Sequence, residues 1–275
     1  MTVLGAGRGP SMLAGVVLSL DEMQYLLEKL QFDELPTVLD TRGQYDNVTA
    51  HAAAMAAAAQ SLTDRELLID GVVHRELEDR LRALYRPHWV VALRLHVEGQ
   101  ISRMCLARGD DLVTVALRGP QSYVIDEVEE DLPGPLIAAL GATEPLELTG
   151  MNAPTEQLVP IFDDAGDAAT TAQRLAKVGN PPRDAQVIAS AMVQCNAHAE
   201  IVGVIYGDGT REVTDNHIAV FDTRNGRFIA TASRSDDGVK WTSFSSGTNA
   251  RLRTALLDLI NSLPLREEFP AKPEH

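Results

Sequence analysis

The stretch that decides the fold runs from Asn196 to Leu263 and reads NAHAEIVGVIYGDGTREVTDNHIAVFDTRNGRFIATASRSDDGVKWTSFSSGTNARLRTALLDLINSL. Runs rich in β-branched and aromatic residues alternate there with Gly-Asp-Gly, Asn-Gly and Asp-Gly corners, a pattern typical of antiparallel hairpins. The predicted strands are 196–206, 213–222, 227–235 and 239–245. From Gly247 the apolar period becomes that of a helix, which Pro264 ends. Its apolar face consists of Leu252, Leu256, Leu259, Ile260 and Leu263. This stretch therefore predicts four strands and one helix that covers a sheet face.

Composition narrows the class of protein before any motif is considered. The chain has 275 residues, is 45% hydrophobic and carries a formal charge of −15, so it can build a core but repels phosphate backbones. We therefore expect no nucleic-acid partner. Its two cysteines, Cys105 and Cys195, indicate a reducing compartment rather than a disulfide framework. The apolar run 12–20 is followed at once by Asp21-Glu22, so we predict a strand there and not a signal peptide. No run reaches the ~20 residues of a membrane helix, so we expect a cytoplasmic protein without membrane insertion.

The first half begins with helices and continues with strands. We predict a strand at 16–19, a helix at 20–30 with Ser19 as its N-cap, and a second strand at 35–39. Further helices are predicted at 46–62, which is rich in alanine, and at 72–85. Four strands and a short helix complete this half, at 88–97, 100–108, 111–118, 122–127 and 133–140.

The second half repeats this order of elements. Helices are predicted at 155–164, 168–178 and 183–195, with a break at 179–182, and the strands and helix of the opening stretch follow. The sequence thus predicts an α+β (mixed α/β) fold. It consists of two pseudo-twofold-related subdomains, each an antiparallel sheet packed with helices, plus a helical bundle in the second half. The expected parts are a flexible tail at 1–15, subdomains at 16–145 and 146–264, and a tail at 265–275.

Residue patterns that carry chemistry are scarce. The segment Gly5-Ala6-Gly7-Arg8-Gly9 lacks the strand, helix and Gly-Lys of a phosphate loop. His74 and Glu78 are four apart, but no second histidine completes a zinc motif, so we predict neither metal nor cofactor. Cys195 near His198 leaves one enzymatic alternative open, a thiol hydrolase. Another alternative is that the protein is itself exported, because Tyr123-x-x-x-Glu127 has the form of a Tyr-x-x-x-Asp/Glu signal.

Several short segments, in order along the chain, resemble the EspG family of type VII (ESX) secretion chaperones. They are Val17-Leu18-Ser19-Leu20-Asp21, Ala199-Glu200-Ile201-Val202, Phe221-Asp222-Thr223-x-x-Gly226-Arg227, Trp241-x-Ser243-Phe244-x-Ser246-Gly247-Thr248 and the closing Leu259–Pro264. Ser246 departs from the family pattern, which often has proline there.

The resemblance implies a mixed α/β fold of two related halves and a cytosolic chaperone without catalytic activity, cofactor or metal. Such a chaperone binds the apolar helical tip of the PPE protein in its cognate PE–PPE heterodimer, keeps the dimer soluble and directs it to an ESX system. Whether the chain also forms a homodimer stays open.

The resemblance also implies where a partner docks, namely on the central sheet, a hairpin loop of the first half and the helical bundle of the second. By position, that loop is 96–102, which is short in this chain. The partner-binding residues that follow are His96, Val97, Glu98, Gln100, Leu158, Ile161, Phe162, Leu175 and Val178.

Overall fold

The computed structural model describes residues 11–41, 45, 47–163, 166–207 and 210–265. The predicted tails lie largely outside these residues, as do the glycine-rich segment 5–9 and the tip of the first C-terminal hairpin at 208–209. The chain forms two compact units, one of residues 1–90 and 104–130 and the other of residues 91–103 and 131–275. The second unit therefore includes the hairpin tip 91–103, and the predicted subdomain boundary at 145/146 stays a prediction.

The first unit combines short strands with three helices. Its elements are β1 (Val16–Ser19), α1 (Leu20–Leu30), a 3-10 turn (Thr37–Leu39), α2 (Val48–Asp64), β2 (Leu68–Ile69), β3 (Val72–Val73), α3 (Arg75–Tyr85), β6 (Val113–Arg118) and β7 (Ser122–Val128). The hairpin strands β4 (Trp89–Val97) and β5 (Gln100–Arg108) belong partly to this unit and, at residues 91–103, to the second. The hydrogen-bonded strand order is β1-β7-β6-β5-β4, with β2 and β3 as a separate pair. Ser19 caps α1 as predicted, because its hydroxyl accepts from the Glu22 N–H while the Glu22 carboxylate accepts from the Ser19 N–H.

The second unit contains the stretch that opened the sequence analysis. Its elements are α4 (Pro133–Leu140), β8 (Met151–Pro154), α5 (Thr155–Asp163), α6 (Ala168–Val178), a 3-10 turn (Pro182–Asp184), α7 (Ala185–Met192), β9 (Cys195–Gly207), β10 (Thr210–Thr223), β11 (Gly226–Arg234), β12 (Lys240–Ser246) and α8 (Asn249–Asn261). The strand order is β4-β9-β10-β11-β12-β8. The mixed α/β class is confirmed, and the order of helices, four strands and one helix occurs twice along the chain.

Three local predictions are wrong for identifiable reasons. The strand expected at 35–39 does not form, and Thr37–Leu39 is a 3-10 turn instead, because Pro36 lacks an N–H donor and Asp40 adopts a left-handed conformation. The helix expected at 72–85 begins only at Arg75, since Asp70-Gly71 has positive φ at both residues and turns the chain into the β2–β3 hairpin. The third error is the omission of β8.

The two faces of the second unit's sheet are covered by different helices. On one face, α5, α6 and α7 bury Phe228, Ala230 and Phe244. On the other face, Gly203 leaves the space that Leu259 and Leu263, on and just after α8, occupy, because a Cβ at Gly203 would lie 2.8 Å from Leu263. The helical bundle predicted for the second half is therefore the cover of one sheet face.

A carboxylate of α3 anchors the beginning of the described chain in the first unit. Glu76 accepts hydrogen bonds from the Ser11 hydroxyl (2.6 Å) and the Leu13 N–H (2.7 Å). The fully buried Arg80 side chain donates to the Ser11 hydroxyl and to the carbonyl groups of Leu13 and Ala14. The Ser11 hydroxyl and the Leu13 N–H lower the pKa of Glu76 from 4.5 to about 2.

This pKa predicts how the anchor responds to acid. Because the folded-state pKa lies below the unfolded value of 4.5, the stabilisation is complete above pH 4.5 and is lost as the pH falls toward about 2. We expect the amide resonance of Leu13 to stay unchanged by NMR between about pH 7 and pH 3.5. A midpoint near 4.5 for this resonance would contradict the anchor. In Glu76→Gln the resonance should not respond to acid at all.

Candidate functional site

A strip of the second unit's sheet is left open beside the helical bundle. His198 of β9 is paired with Phe221 of β10, and Glu200 with Ala219, so both side chains lie on the face that α5, α6 and α7 cover elsewhere. Phe221 and Ala219 are partly buried against that helical core, whereas His198 and Glu200 are exposed. The cover thus stops short of β9.

The neighbouring strand, β4, extends this open area. The ring of His96 stacks on the ring of His198 with centroids 4.5 Å apart and planes 5° apart, which places His96 on the same face. Arg94 is exposed and lies two residues earlier on the same side of β4. We call Arg94, His96, His198 and Glu200 the open strip.

The β4–β5 hairpin ends beside the open strip in a tight turn. Glu98 and Gly99 both have positive φ, 49° and 78°, as a two-residue hairpin turn of the primed type requires. Val97 and Ile101 flank the turn with exposed fractions of 39% and 40%. In such a turn Ile101 is the cross-strand neighbour of His96, so an exposed apolar side chain borders the strip.

The structure separates the predicted partner-binding residues into two groups. His96 is half-buried, and Val97, Glu98 and Gln100 are exposed around the hairpin turn. By contrast Leu158, Ile161 and Leu175 belong to the buried core under the bundle, and Phe162 and Val178 are only partly buried against it. The hairpin residues are accessible to a partner, whereas Leu158, Ile161 and Leu175 are buried in the core.

Sequence reasoning missed that the open strip exists as a unit. The sequence places His96 and His198 on predicted strands of opposite halves, 102 positions apart (198 − 96), and no local pattern indicates that β4 and β9 are neighbours. The exposed apolar residues Ile101 and Val193, the latter 64% exposed at the end of the bundle just before β9, were also not singled out.

A groove of about 580 Å³ lies on the opposite sheet face, between α8 and strands β10 to β12. Half of its lining residues are alanine, serine or threonine, and its ionisable residues are His217, Arg251 and Asp258. None of the residues predicted to bind a partner lines this groove.

The family motif around Asp222 and Arg227 is a structural element. The Arg227 side chain is fully buried and binds the Asp222 carboxylate through Nε (2.6 Å) and Nη2 (2.7 Å). Its guanidinium also donates to the carbonyl groups of Leu140 and Gly141. This arginine therefore joins the β10–β11 hairpin to the segment that follows α4.

The backbone segments around Arg227 also pack tightly against one another. The carbonyl of Arg227 accepts from the N–H groups of Leu146 (2.7 Å) and Gly247 (2.9 Å). A Cβ at Gly247 would lie 2.3 Å from Arg227 Cγ, and one at Gly226, which has φ 124°, would lie 2.7 Å from the Leu146 nitrogen. Gly226 and Gly247, which come from two of the motifs, are thus required by the close approach of neighbouring atoms.

Cys195 and Tyr123, the residues behind the two alternative functions, both have contacts within the fold. Cys195 Sγ donates to the Ala197 carbonyl (3.2 Å), and burial raises the pKa of its thiol, the reverse of an activated nucleophile. Tyr123 of the suggested export signal is buried in β7, where its cross-strand partner is Leu18.

Across the part of the chain that the structure describes, no three His, Cys, Asp or Glu side chains are grouped to hold a metal ion. None of the described helices is both long and apolar enough to cross a membrane.

Fold and site together define a mixed α/β protein whose candidate surface is an open sheet face beside a helical bundle. The sequence model of the EspG family matches residues 19–258, and the chain belongs to this family. The resemblance found in its motifs is confirmed.

Named relatives and a solved structure show the same similarity over nearly the whole chain. The chain is 24% identical to the ESX-3 secretion-associated protein EspG3 of Mycolicibacterium smegmatis over 264 residues, which cover 94% of this chain and 90% of that protein. It is 25% identical to the ESX-1 secretion-associated protein EspG1 of the same species, with equal coverage. Its fold matches the Mycobacterium tuberculosis type VII secretion system chaperone EspG5, solved in complex with the PE25–PPE41 dimer. That match has a TM-score of 0.74 at 14% identity and covers 91% of this chain and 97% of the other.

Proposed function

We propose that this protein is a cytoplasmic chaperone of a type VII (ESX) secretion system. It binds the helical tip of the PPE protein in a PE–PPE heterodimer, keeps the dimer soluble and delivers it for export. The observation that carries this proposal is membership of the EspG family over residues 19–258. Support comes from the fold shared with EspG5, a chaperone solved with a PE–PPE dimer.

The open strip fits the proposed task physically. A flat sheet face with a helical wall accepts a protrusion from another protein, as helix-in-groove recognition requires. Ile101, the cross-strand neighbour of His96, borders the strip with exposed apolar surface, and Val97 and Val193 are exposed at the hairpin turn and at the end of α7. Each large apolar side chain of the partner that is covered contributes ~1.5–3 kcal/mol, and a standard interface buries ~1,600 Å² in total. The net charge of −15 favours solubility of the complex.

The proposed contact residues follow from accessibility. His96, Val97, Glu98 and Gln100 contact the partner directly, together with His198. Phe162 and Val178 contribute only through their partly exposed edges. Leu158, Ile161 and Leu175 act indirectly, because they hold the bundle against the sheet.

The protein acts by binding and has no catalytic residue in this proposal. Cys195 and Cys105 are both free thiols, and Cys105 is fully buried. Burial raises the pKa of the Cys195 thiol, which disfavours the thiolate that a hydrolase would need.

Co-expression with candidate PE–PPE pairs tests the function. We expect at least one pair to become soluble and to elute with this protein as a ternary complex in size-exclusion chromatography. The variant Cys195→Ser should retain the same pair, because the thiol is not used. If no pair from any ESX system is retained, the proposed function is wrong, and a turnover that disappears in Cys195→Ser would favour the hydrolase instead.

A further inference from the structure

The stacked pair of His96 and His198 is the least explained feature of the open strip. His198 is exposed and His96 half-buried, so the stack does not fill a core. Within the described residues, the ring nitrogens of both histidines make no hydrogen bond to the chain itself. The pair thus displays polar ring atoms that the fold does not use.

The stack also fixes the direction of these unused atoms. Two rings at 4.5 Å with planes 5° apart restrict each other's rotation. Side chains held in one geometry lose little conformational entropy when they bind, which strengthens recognition. Arg94 and Glu200 on the same face are long, exposed side chains that are not held by ring stacking, so they would lose more conformational entropy on binding.

The chemistry of a neutral imidazole pair matches the end of a helix. Each ring carries one N–H donor and one acceptor nitrogen. A helical tip, where one helix ends and another begins, exposes free carbonyl groups of the first helix and free N–H groups of the second. Because both kinds of group are present at such a tip, a surface that binds it needs a donor and an acceptor close together. The two histidine rings offer two of each.

We propose that His96 and His198 form a recognition pair that binds free backbone groups at the partner's helical tip, so that tips whose backbone groups are already capped or do not reach the two rings are bound less tightly. This inference rests on the proposed function and adds to it the polar contact that gives specificity. Apolar contacts from Val97 and Ile101 provide area but distinguish partners poorly, whereas a hydrogen-bonding site rejects groups that leave it unpaired.

The double variant His96→Phe/His198→Phe tests the recognition pair. Phenylalanine keeps two stacked rings but removes all four ring nitrogens. With a PE–PPE pair that the wild type retains, we expect the Kd of the double variant to rise about tenfold or more, while its thermal midpoint stays within a few degrees of the wild type. The single variant His198→Phe, at the exposed ring, serves the same purpose if the double variant does not fold.

The control is Arg251→Phe, an exposed residue of α8 that lines the groove on the opposite sheet face, away from the open strip. It should bind like the wild type. If the wild type binds a PE–PPE pair and the two-phenylalanine protein binds it equally well, the recognition pair is wrong and the chaperone function stands. If the wild type binds no pair, the proposed function fails and this inference fails with it.

Discussion

Replacing Arg227 by alanine is expected to lower the free energy of unfolding of the second unit by about 3–5 kcal/mol. The substitution leaves the Asp222 carboxylate without its bidentate partner. It also removes the Nη2 donor of the Leu140 carbonyl and the Nη1 donor of the Gly141 carbonyl. The guanidinium is fully buried, so water does not replace these bonds. Unpaired polar groups in a buried site carry the full cost of desolvation.

Fluorescence of Trp241 during urea unfolding measures this effect. The chain has two tryptophans, Trp89 and Trp241, and a Trp89→Phe background makes the signal specific to the second unit. The matched control is Arg234→Ala, because the ion pair of Arg234 with Asp215 is about 44% exposed and should be worth at most about 1 kcal/mol. Arg227→Lys keeps the charge without the planar fork and should fall between the two. Equal costs for Arg227→Ala and Arg234→Ala would contradict the structural role of the motif.

The second large effect is expected from Leu175→Ala, at about 2–5 kcal/mol of lost stability. Leu175 is fully buried where α6 packs on the sheet, with Leu158 and Ile161 in the same core. The truncation opens a cavity that rigid neighbours fill only in part. The same unfolding experiment measures it.

Val159→Ala is the control for this substitution, because Val159 lies on α5 with 52% of its surface exposed. It should change stability by no more than about 0.5 kcal/mol. A Leu175→Ala protein that keeps its stability but no longer retains a PE–PPE pair would show that Leu175 touches the partner directly.

The local elements of this fold could be predicted because their signals are local. Asn225-Gly226 makes a turn that few other residues tolerate, and the reciprocal cap of Ser19 and Glu22 sets the start of α1. Strand β8 could not be found in this way, since Met-Asn-Ala-Pro has no β-branched residue and includes a proline. It is a strand only because β12 provides the neighbour.

The candidate site depends on contacts that no local pattern encodes. Apolar spacing showed that α5 and α6 have an inner and an outer face, but not which of them a partner could reach. The structure shows that Leu175 is internal and that the open strip begins where the bundle ends. Likewise the motif Asp222 to Arg227 supported the family resemblance, while its role as a buried ion pair required the distance of 2.6 Å.

Hydrogen–deuterium exchange with and without a retained PE–PPE dimer tests most directly where the partner docks. Docking on the open strip predicts slower exchange upon binding in the hairpin around residues 96–101, in β9 around residues 198–202 and at the bundle end near Val193. The groove between α8 and β10 to β12 should exchange at the same rate in both states. Protection confined to that groove, with the open strip unchanged, would contradict the account.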